Sequence, residues 1–334
     1  MVAKEKFIQV AIDVPIDQLF DYLPNDQIIV VGQYVKVPFG RRQIIGIVSG
    51  ISSVTDVPRE KLKKIISVEE EIIFDHRLFK LLYFVSNYYH HPIGQTIMSV
   101  VPSRIKQAKG QIRKVDNIYE ATADLTLAWI EELPKRKVRL RKLANALLLN
   151  SMKDSELNLS VSNGRECAKE LVSLGMVVAK KWIPDTNQSE APPKLNTQQK
   201  KVLLALTEKH DNVAWLIHGI TGSGKTEIYL QLLNKFVGKD QSQVLVLVPE
   251  INLTPQLEAR FKLRFPDKAL VTLHSHLSSI ERLDNWRKAK SGEAQIVIGT
   301  RLAVFTPLPH LKLIIIDEEH DGSFKQHEGL RYHA

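Results

Sequence analysis

Gly219-Ile220-Thr221-Gly222-Ser223-Gly224-Lys225-Thr226 fits the G-x-x-x-x-G-K-[ST] pattern of a phosphate-binding loop. Its glycines let backbone N–H groups turn inward around a β-phosphate, where side chains would obstruct. Lys225 would place its charge on the β- and γ-phosphates, and the Thr226 hydroxyl would ligate magnesium. Ninety-two positions after Lys225, the apolar run Leu313-Ile314-Ile315-Ile316 ends in Asp317-Glu318-Glu319-His320. A buried parallel strand delivers such terminal carboxylates to the crevice beyond the sheet's carboxyl edge, where ligands bind. Asp317 would hold magnesium through water, and Glu318 would orient or deprotonate the attacking water. An acidic pair alone is weak, since such pairs are common on surfaces. Behind a phosphate loop at this spacing it becomes specific.

Smaller strings agree with that chemistry. In Asn196-Thr197-Gln198-Gln199, the Gln199 amide offers both a donor and an acceptor to an adenine edge. Val248 to Thr254 and Gly299-Thr300-Arg301 follow apolar runs, where backbone amides and hydroxyls could touch the phosphates of a single strand. His218, His274, His276 and the His90-His91 pair read as structural, because no cysteine or carboxylate cluster accompanies them. Cys167 is the only cysteine, so the chain holds no disulfide framework and no cysteine zinc site.

The elements that must position these residues follow from pattern. Phe7–Val14, Gln33–Val37 and Ile44–Val48 read as short strands, with a turn at Pro38-Phe39-Gly40. His76–His91 has helical spacing and ends before Pro92 and Gly94. Residues 1–110 thus form a small β-rich domain. Residues 115–183 read as helices with a strand at Met176–Ala179, which fits a winged helix or a helical linker domain. Residues 184–194 form a linker. From 195 to 334, strands expected at Val213–His218, Gln243–Val248, Ile296–Ile298 and Leu313–Ile316 alternate with a helix at Thr226–Val237 and other helical stretches. That alternation predicts a parallel sheet covered on both faces, a RecA-like α/β lobe.

Of 334 residues, 44% are hydrophobic and 25% charged, an ordinary globular composition long enough for two or three domains. The net charge is +9, and Val101–Asn145 carries eleven Lys/Arg against five acids. Such an excess suits a phosphate backbone, or is a solvated face. The N-terminus lacks the apolar core of a signal peptide and no run reaches membrane-helix length, so the expectation is a cytoplasmic protein.

The D-E-x-H form points to superfamily 2 helicase and translocase motors rather than to kinases or small GTPases. Further strings sharpen this: Phe20-Asp21-Tyr22-Leu23, Val37-Pro38-Phe39-Gly40, Tyr88 to Gly94, Val248 to Gln256, Ile298 to Arg301, Asp317 to Asp321, Phe324-Lys325-Gln326 and Arg331-Tyr332-His333. Together they resemble the bacterial primosomal replication-restart helicases, the PriA or primosomal protein N′ family, over essentially the whole chain. The resemblance implies a 3′-DNA-end-binding domain, a winged helix and the first helicase lobe. It implies an ATP-dependent 3′-to-5′ DNA helicase that recognises abandoned forks and starts primosome assembly. By motif match, Phe20, Asp21, Tyr22, Gly40 and Lys63 would take the 3′-hydroxyl end of a leading strand. A carboxylate at Asp21 accepts a hydrogen bond from a hydroxyl and repels a phosphate. Thr300, Arg301, Phe324, Lys325, Arg331 and Tyr332 would meet DNA, with Phe324 and Tyr332 stacking from an aromatic-rich loop.

ATP and magnesium are the implied cofactors, with zinc only in the full-length family. Forked and single-stranded DNA, primosomal proteins and single-stranded DNA-binding protein are the implied partners, and a monomer the implied state. After Leu195 the sequence holds one nucleotide-binding lobe and lacks the family's second lobe, cysteine-rich insertion and C-terminal domain. The chain is therefore expected to bind DNA, to bind ATP weakly, to hydrolyse it poorly and not to unwind. Another superfamily 2 motor and a non-catalytic fork-binding module are the competing readings.

Overall fold

A computed structural model describes residues 6–106, 117–134, 136–153, 157, 160–181, 193–208, 213–220, 222–237, 241–249 and 255–334. The chain divides into two units: one joins residues 1–111 with 187–334, and the other is 112–186.

The first unit begins with an antiparallel five-stranded sheet, order β2-β1-β4-β3-β5. Its strands are β1 (Phe7–Ala11), β2 (Phe20–Tyr22), β3 (Gln33–Phe39), β4 (Arg42–Ser52) and β5 (Ser67–Ile72). Val35 and Val37, alternate residues of β3, join Ile8, Val10 and Val48 in a core on one face. Ala11, Tyr34 and Ile47 point to the other face, which helices cover. A two-residue turn at Gly40-Arg41 joins β3 to β4, with Phe39 opposite Arg42.

Helix α1 (His76–Tyr89) starts at Asp75, whose side chain accepts from Leu78 N at 2.9 Å. It stops at His90 in the left-handed conformation, φ 49°. Helices α2 (Ile93–Ser99) and α3 (Ser103–Lys106) follow. A Cβ on Gly94 would stand 2.4 Å from the Ile12 carbonyl oxygen, so glycine is what lets α2 lie against the end of β1. This gives the Tyr88–Gly94 string a packing reason.

The same unit continues as a parallel sheet, order β10-β11-β9-β12, from β9 (Gln243–Leu247), β10 (Leu270–Leu273), β11 (Ile296–Gly299) and β12 (Leu311–Ile316). Helices α7 (Thr197–Thr207), α8 (Lys225–Val237), α9 (Pro255–Arg264) and α10 (Ser279–Lys290) belong to this lobe. The expected strand at Val213–His218 is not formed. That segment joins no sheet, and Trp215 and Leu216 are exposed. A short apolar run marks a segment able to pair, but pairing needs a free neighbouring ladder in register, which local pattern does not report. Correspondingly, among the described residues β12 pairs on one side only, with β9, and leaves Ile314 and Ile316 exposed.

The N-terminal sheet and the lobe share one apolar core. Phe74, Phe79, Leu82 and Ile97 cluster with Leu245, Val271, Trp286 and Val297. At its rim, Glu71 of β5 accepts from Arg287 Nη2 at 2.7 Å and from Lys290 Nζ at 3.1 Å. Burial alone would raise the Glu71 carboxyl, but these hydrogen bonds and charges hold it below the ordinary carboxylate range. A carboxyl depressed in the folded state contributes stability above its unfolded pKa and loses it as pH falls through the folded one. Glu71→Gln should therefore destabilise the unit by on the order of 1–2 kcal/mol at neutral pH. Urea unfolding from pH 7 down to below the carboxylate range would check this: the difference from the unaltered chain should shrink towards zero.

The second unit packs α4 (Leu127–Glu132), α5 (Val138–Leu149) and α6 (Gly164–Ser173) against a three-stranded antiparallel sheet, order β7-β6-β8. Its strands are β6 (Asn117–Ala121), β7 (Met152–Lys153) and β8 (Val177–Lys181). Ile130, Leu140, Leu143, Leu147, Leu171 and Val177 form its core. Among the described residues, no helix is long and apolar enough to cross a membrane.

Candidate nucleotide and DNA-end sites

The phosphate loop leads directly into α8, whose N-terminus adds partial positive charge and free N–H groups. Gly224 has φ 84°, and a Cβ there would fall 2.3 Å from the Gln199 amide nitrogen, so the position requires glycine. Lys225 Nζ donates to the Gly219 and Ile220 carbonyls at 2.7 and 3.3 Å, folding back over its own loop. Thr221 lies outside the described residues, as do Glu250 to Thr254 of the next string.

The Gln199 amide already makes two hydrogen bonds. Its oxygen accepts from Asn196 N at 2.9 Å, closing a capping box at the start of α7, and its nitrogen donates to Ser223 O at 3.2 Å. The amide thus ties α7 to the phosphate loop and keeps one N–H and one lone pair for an adenine edge.

Asp317 sits where the strand-end reading puts it, just past β12 and hydrogen-bonded through its backbone to Leu247. Its carboxylate accepts from the Tyr229 hydroxyl at 3.2 Å. Burial raises the Asp317 pKa, opposed by the Tyr229 bond and by the charge of Lys225. The Tyr229 hydroxyl is itself pushed far up, by burial and then by Asp317, and so stays protonated. Tyr229 was not among the residues picked from sequence. Its only signal is position, one helical turn beyond Lys225 and Thr226. Glu318 adopts φ 48°, a conformation that strains a residue with a Cβ, and its carboxylate lies 3.8 Å from His320 Nε2. Thr226 and Asp317, both oxygen donors beside the lysine, form a set that fits magnesium with a nucleotide. Behind them, Glu227 and Arg264 pair at 2.8 Å, both nearly buried, and brace α8.

A second site lies in the N-terminal sheet. Phe20, Asp21, Tyr22, Gly40 and Lys63 all line one cavity of about 240 Å³, with Gln18, Pro38, Phe39 and Lys61. Phe20 meets Phe39 edge-on, centroids 5.3 Å apart. Asp21 accepts from Thr55 Oγ1 at 2.6 Å, and Lys63 Nζ reaches the Gly40 carbonyl at 3.4 Å. Tyr22 differs from its expected role: it is buried, its hydroxyl donates to Pro38 O at 3.2 Å, and burial pushes its pKa up to about 12. It lines the wall of the same cavity. Thr55 and Lys61 carried no signal in sequence.

The third expected surface is only partly open. Phe324 is 1% exposed and Tyr332 3% exposed, against the expectation that both rings stack on DNA. Phe324 clusters with Phe305 and Leu330, and Tyr332 packs on the Phe305 ring with centroids 4.9 Å apart. Apolar rings beside an unfilled core are drawn inward by the hydrophobic effect unless a ligand competes. Arg301, expected to meet DNA, donates to Gln326 Oε1 at 2.6 Å and to Ser323 O at 2.9 Å. Thr300 is buried, whereas Lys325 and Arg331 are exposed. Of the basic stretch, Lys109, Arg113, Lys114 and Lys135 lie outside the described residues, while Arg136, Arg139 and Lys142 are exposed. Among the described residues no group of three or more His, Cys, Asp or Glu could hold a metal ion.

Comparison with known proteins gives two family matches. Residues 9–102 match the 3′ DNA-binding domain (3′BD) of PriA, and residues 196–333 match DEAD/DEAH box helicases. Replication restart protein PriA of Haemophilus influenzae is 36% identical over 342 residues, covering 98% of this chain and 46% of that protein. The PriA of Synechocystis sp. is 35% identical over 91% of this chain and 46% of its own length. That of Bacillus subtilis is 29% identical over 98% of this chain and 50% of its own. The chain spans about half the length of the curated relatives it matches. A DNA-end domain of PriA type, followed in one chain by a helicase domain and matched by PriA proteins over nearly every residue, places it: the chain belongs to the PriA family of replication restart proteins.

Proposed function

We propose that this chain is the fork-recognising and nucleotide-binding part of an ATP-driven 3′-to-5′ DNA helicase that restarts replication by initiating primosome assembly. The observation that carries the reading is the cavity bringing Phe20, Asp21, Gly40 and Lys63 together from three separate stretches of chain. An aromatic ring, a carboxylate and an ammonium around one small opening suit a terminal nucleotide: base beside ring, 3′-hydroxyl on carboxylate, phosphate on lysine. Asp21 already accepts from Thr55, and its remaining lone pairs are available to a hydroxyl donor.

The second site takes ATP, with Lys225 on the phosphates and Thr226 and Asp317 holding magnesium. When bound, magnesium offsets the charge that develops on the phosphates. Glu318, held in its strained conformation at the strand end, orients the attacking water. Partners of this reading are forked DNA with a free 3′-hydroxyl, single-stranded DNA, other primosomal proteins and single-stranded DNA-binding protein. It places a monomer in the bacterial cytoplasm, on the nucleoid.

Fluorescence anisotropy with a forked DNA ending in a 3′-hydroxyl or a 3′-phosphate tests the proposal. The hydroxyl end should bind about 10-fold tighter, a difference of about 1.4 kcal/mol, and Asp21→Ala should erase the preference. Equal, salt-sensitive binding of both ends would reduce the surface to a basic patch and sink the reading.

A further inference from the structure

We infer that Tyr229 is a positioning residue for the divalent cation of the nucleotide site, orienting the Asp317 carboxylate that would hold it. The inference rests on the nucleotide reading of that site. Tyr229 is buried on α8, and its ring stacks beside Phe261 with centroids 6.5 Å apart and planes 26° from parallel. Burial and this contact pack the ring so that its hydroxyl reaches the acidic strand end. That hydroxyl has a single proton, which it donates to Asp317 Oδ2 at 3.2 Å. Its lone pairs remain as acceptors, and the Thr226 side chain, three residues earlier on the same helix, interacts with it.

The direction of this short chain follows from counting protons. A tyrosine that donates to a carboxylate can only accept from its other neighbour. Asp317, held by Tyr229 on one oxygen, keeps its remaining lone pairs for the site. The carboxylate is thus presented to the site as an oriented acceptor, which a cation needs and an unheld carboxylate does not guarantee. No other described hydrogen bond links the phosphate-loop helix to the acidic strand end through these two residues.

Tyr229→Phe keeps the ring and removes only the hydroxyl. Affinity for a fluorescent ATP analogue would be measured on the full chain in magnesium and in EDTA, alongside the melting temperature. The gain in affinity conferred by magnesium should fall by on the order of 10-fold, as when a group orienting a metal ligand is removed. Affinity in EDTA should stay within about 2-fold, since no phosphate contact is touched. An unchanged magnesium gain would overturn the inference. Equal losses in both conditions would also overturn it, because they mean a general packing role, as would a variant too unstable to bind in EDTA. If the unaltered chain binds no nucleotide in either condition, the nucleotide reading itself fails and this inference with it.

Discussion

Lys225→Ala should lower nucleotide affinity by on the order of 100-fold or more, about 2.7 kcal/mol, while leaving the melting temperature nearly unchanged. The two halves of that expectation come from different contacts. In the chain without nucleotide, the bonds Nζ makes among the described residues go to the Gly219 and Ile220 carbonyls. Both carbonyls sit at an open loop where water can replace the lysine, so the folded state loses little. With a nucleotide the same ammonium would be the one mobile charge beside the β- and γ-phosphates. Removing one partner of such a charge pair leaves the other poorly compensated, which costs about 2–5 kcal/mol. Isothermal titration with ATP and magnesium, paired with a thermal melt, separates the two. A variant that bound ATP within a few-fold of the unaltered chain would mean the loop cradles nothing.

How legible all this was depends on how local each cause is. The phosphate loop and Asp317 could be read because glycine, lysine and strand-end carboxylate each do a job their own chemistry dictates. The absence of pairing at Val213–His218 could not be read, because an apolar run says only that a segment is able to pair, and among the described residues it stays apart although β12 keeps an open edge. The DNA-end cavity lies between these cases. Phe20, Asp21, Gly40 and Lys63 are ordinary singly, and only resemblance joined them; the structure then shows the topology that does, β2 beside β1, and the β3–β4 turn beside the Lys61–Lys63 stretch. Gln199 and Arg301 were chosen for what their side chains could offer a ligand. Their present bonds go to Asn196, Ser223, Gln326 and the Ser323 carbonyl. Side-chain chemistry names what a group can bind, and its neighbours decide what it binds at a given moment.

Phe324→Ala should destabilise the first unit by about 3–5 kcal/mol, the range for truncating a fully buried phenylalanine. A ring poised in solvent to stack on DNA would lose under about 0.5 kcal/mol on the same change. The difference arises from where the ring sits. Phe324 is 1% exposed in a short turn that Asp321 opens by accepting from Ser323 N at 2.7 Å. Behind it, Gln326 N donates to Tyr332 O at 2.8 Å, and His333 N donates to the Tyr89 hydroxyl at 3.2 Å. Phe324 and Tyr332 therefore hold the loop against α1 and the lobe together, and Arg301 closes it from outside. Urea unfolding of Phe324→Ala, with Phe324→Leu as a variant that keeps most of the apolar volume, measures the anchor. Phe324→Leu should recover more than half of the loss. If instead both variants unfold like the unaltered chain but bind single-stranded DNA less tightly, the ring's place is on the DNA, and the buried arrangement is not its working state.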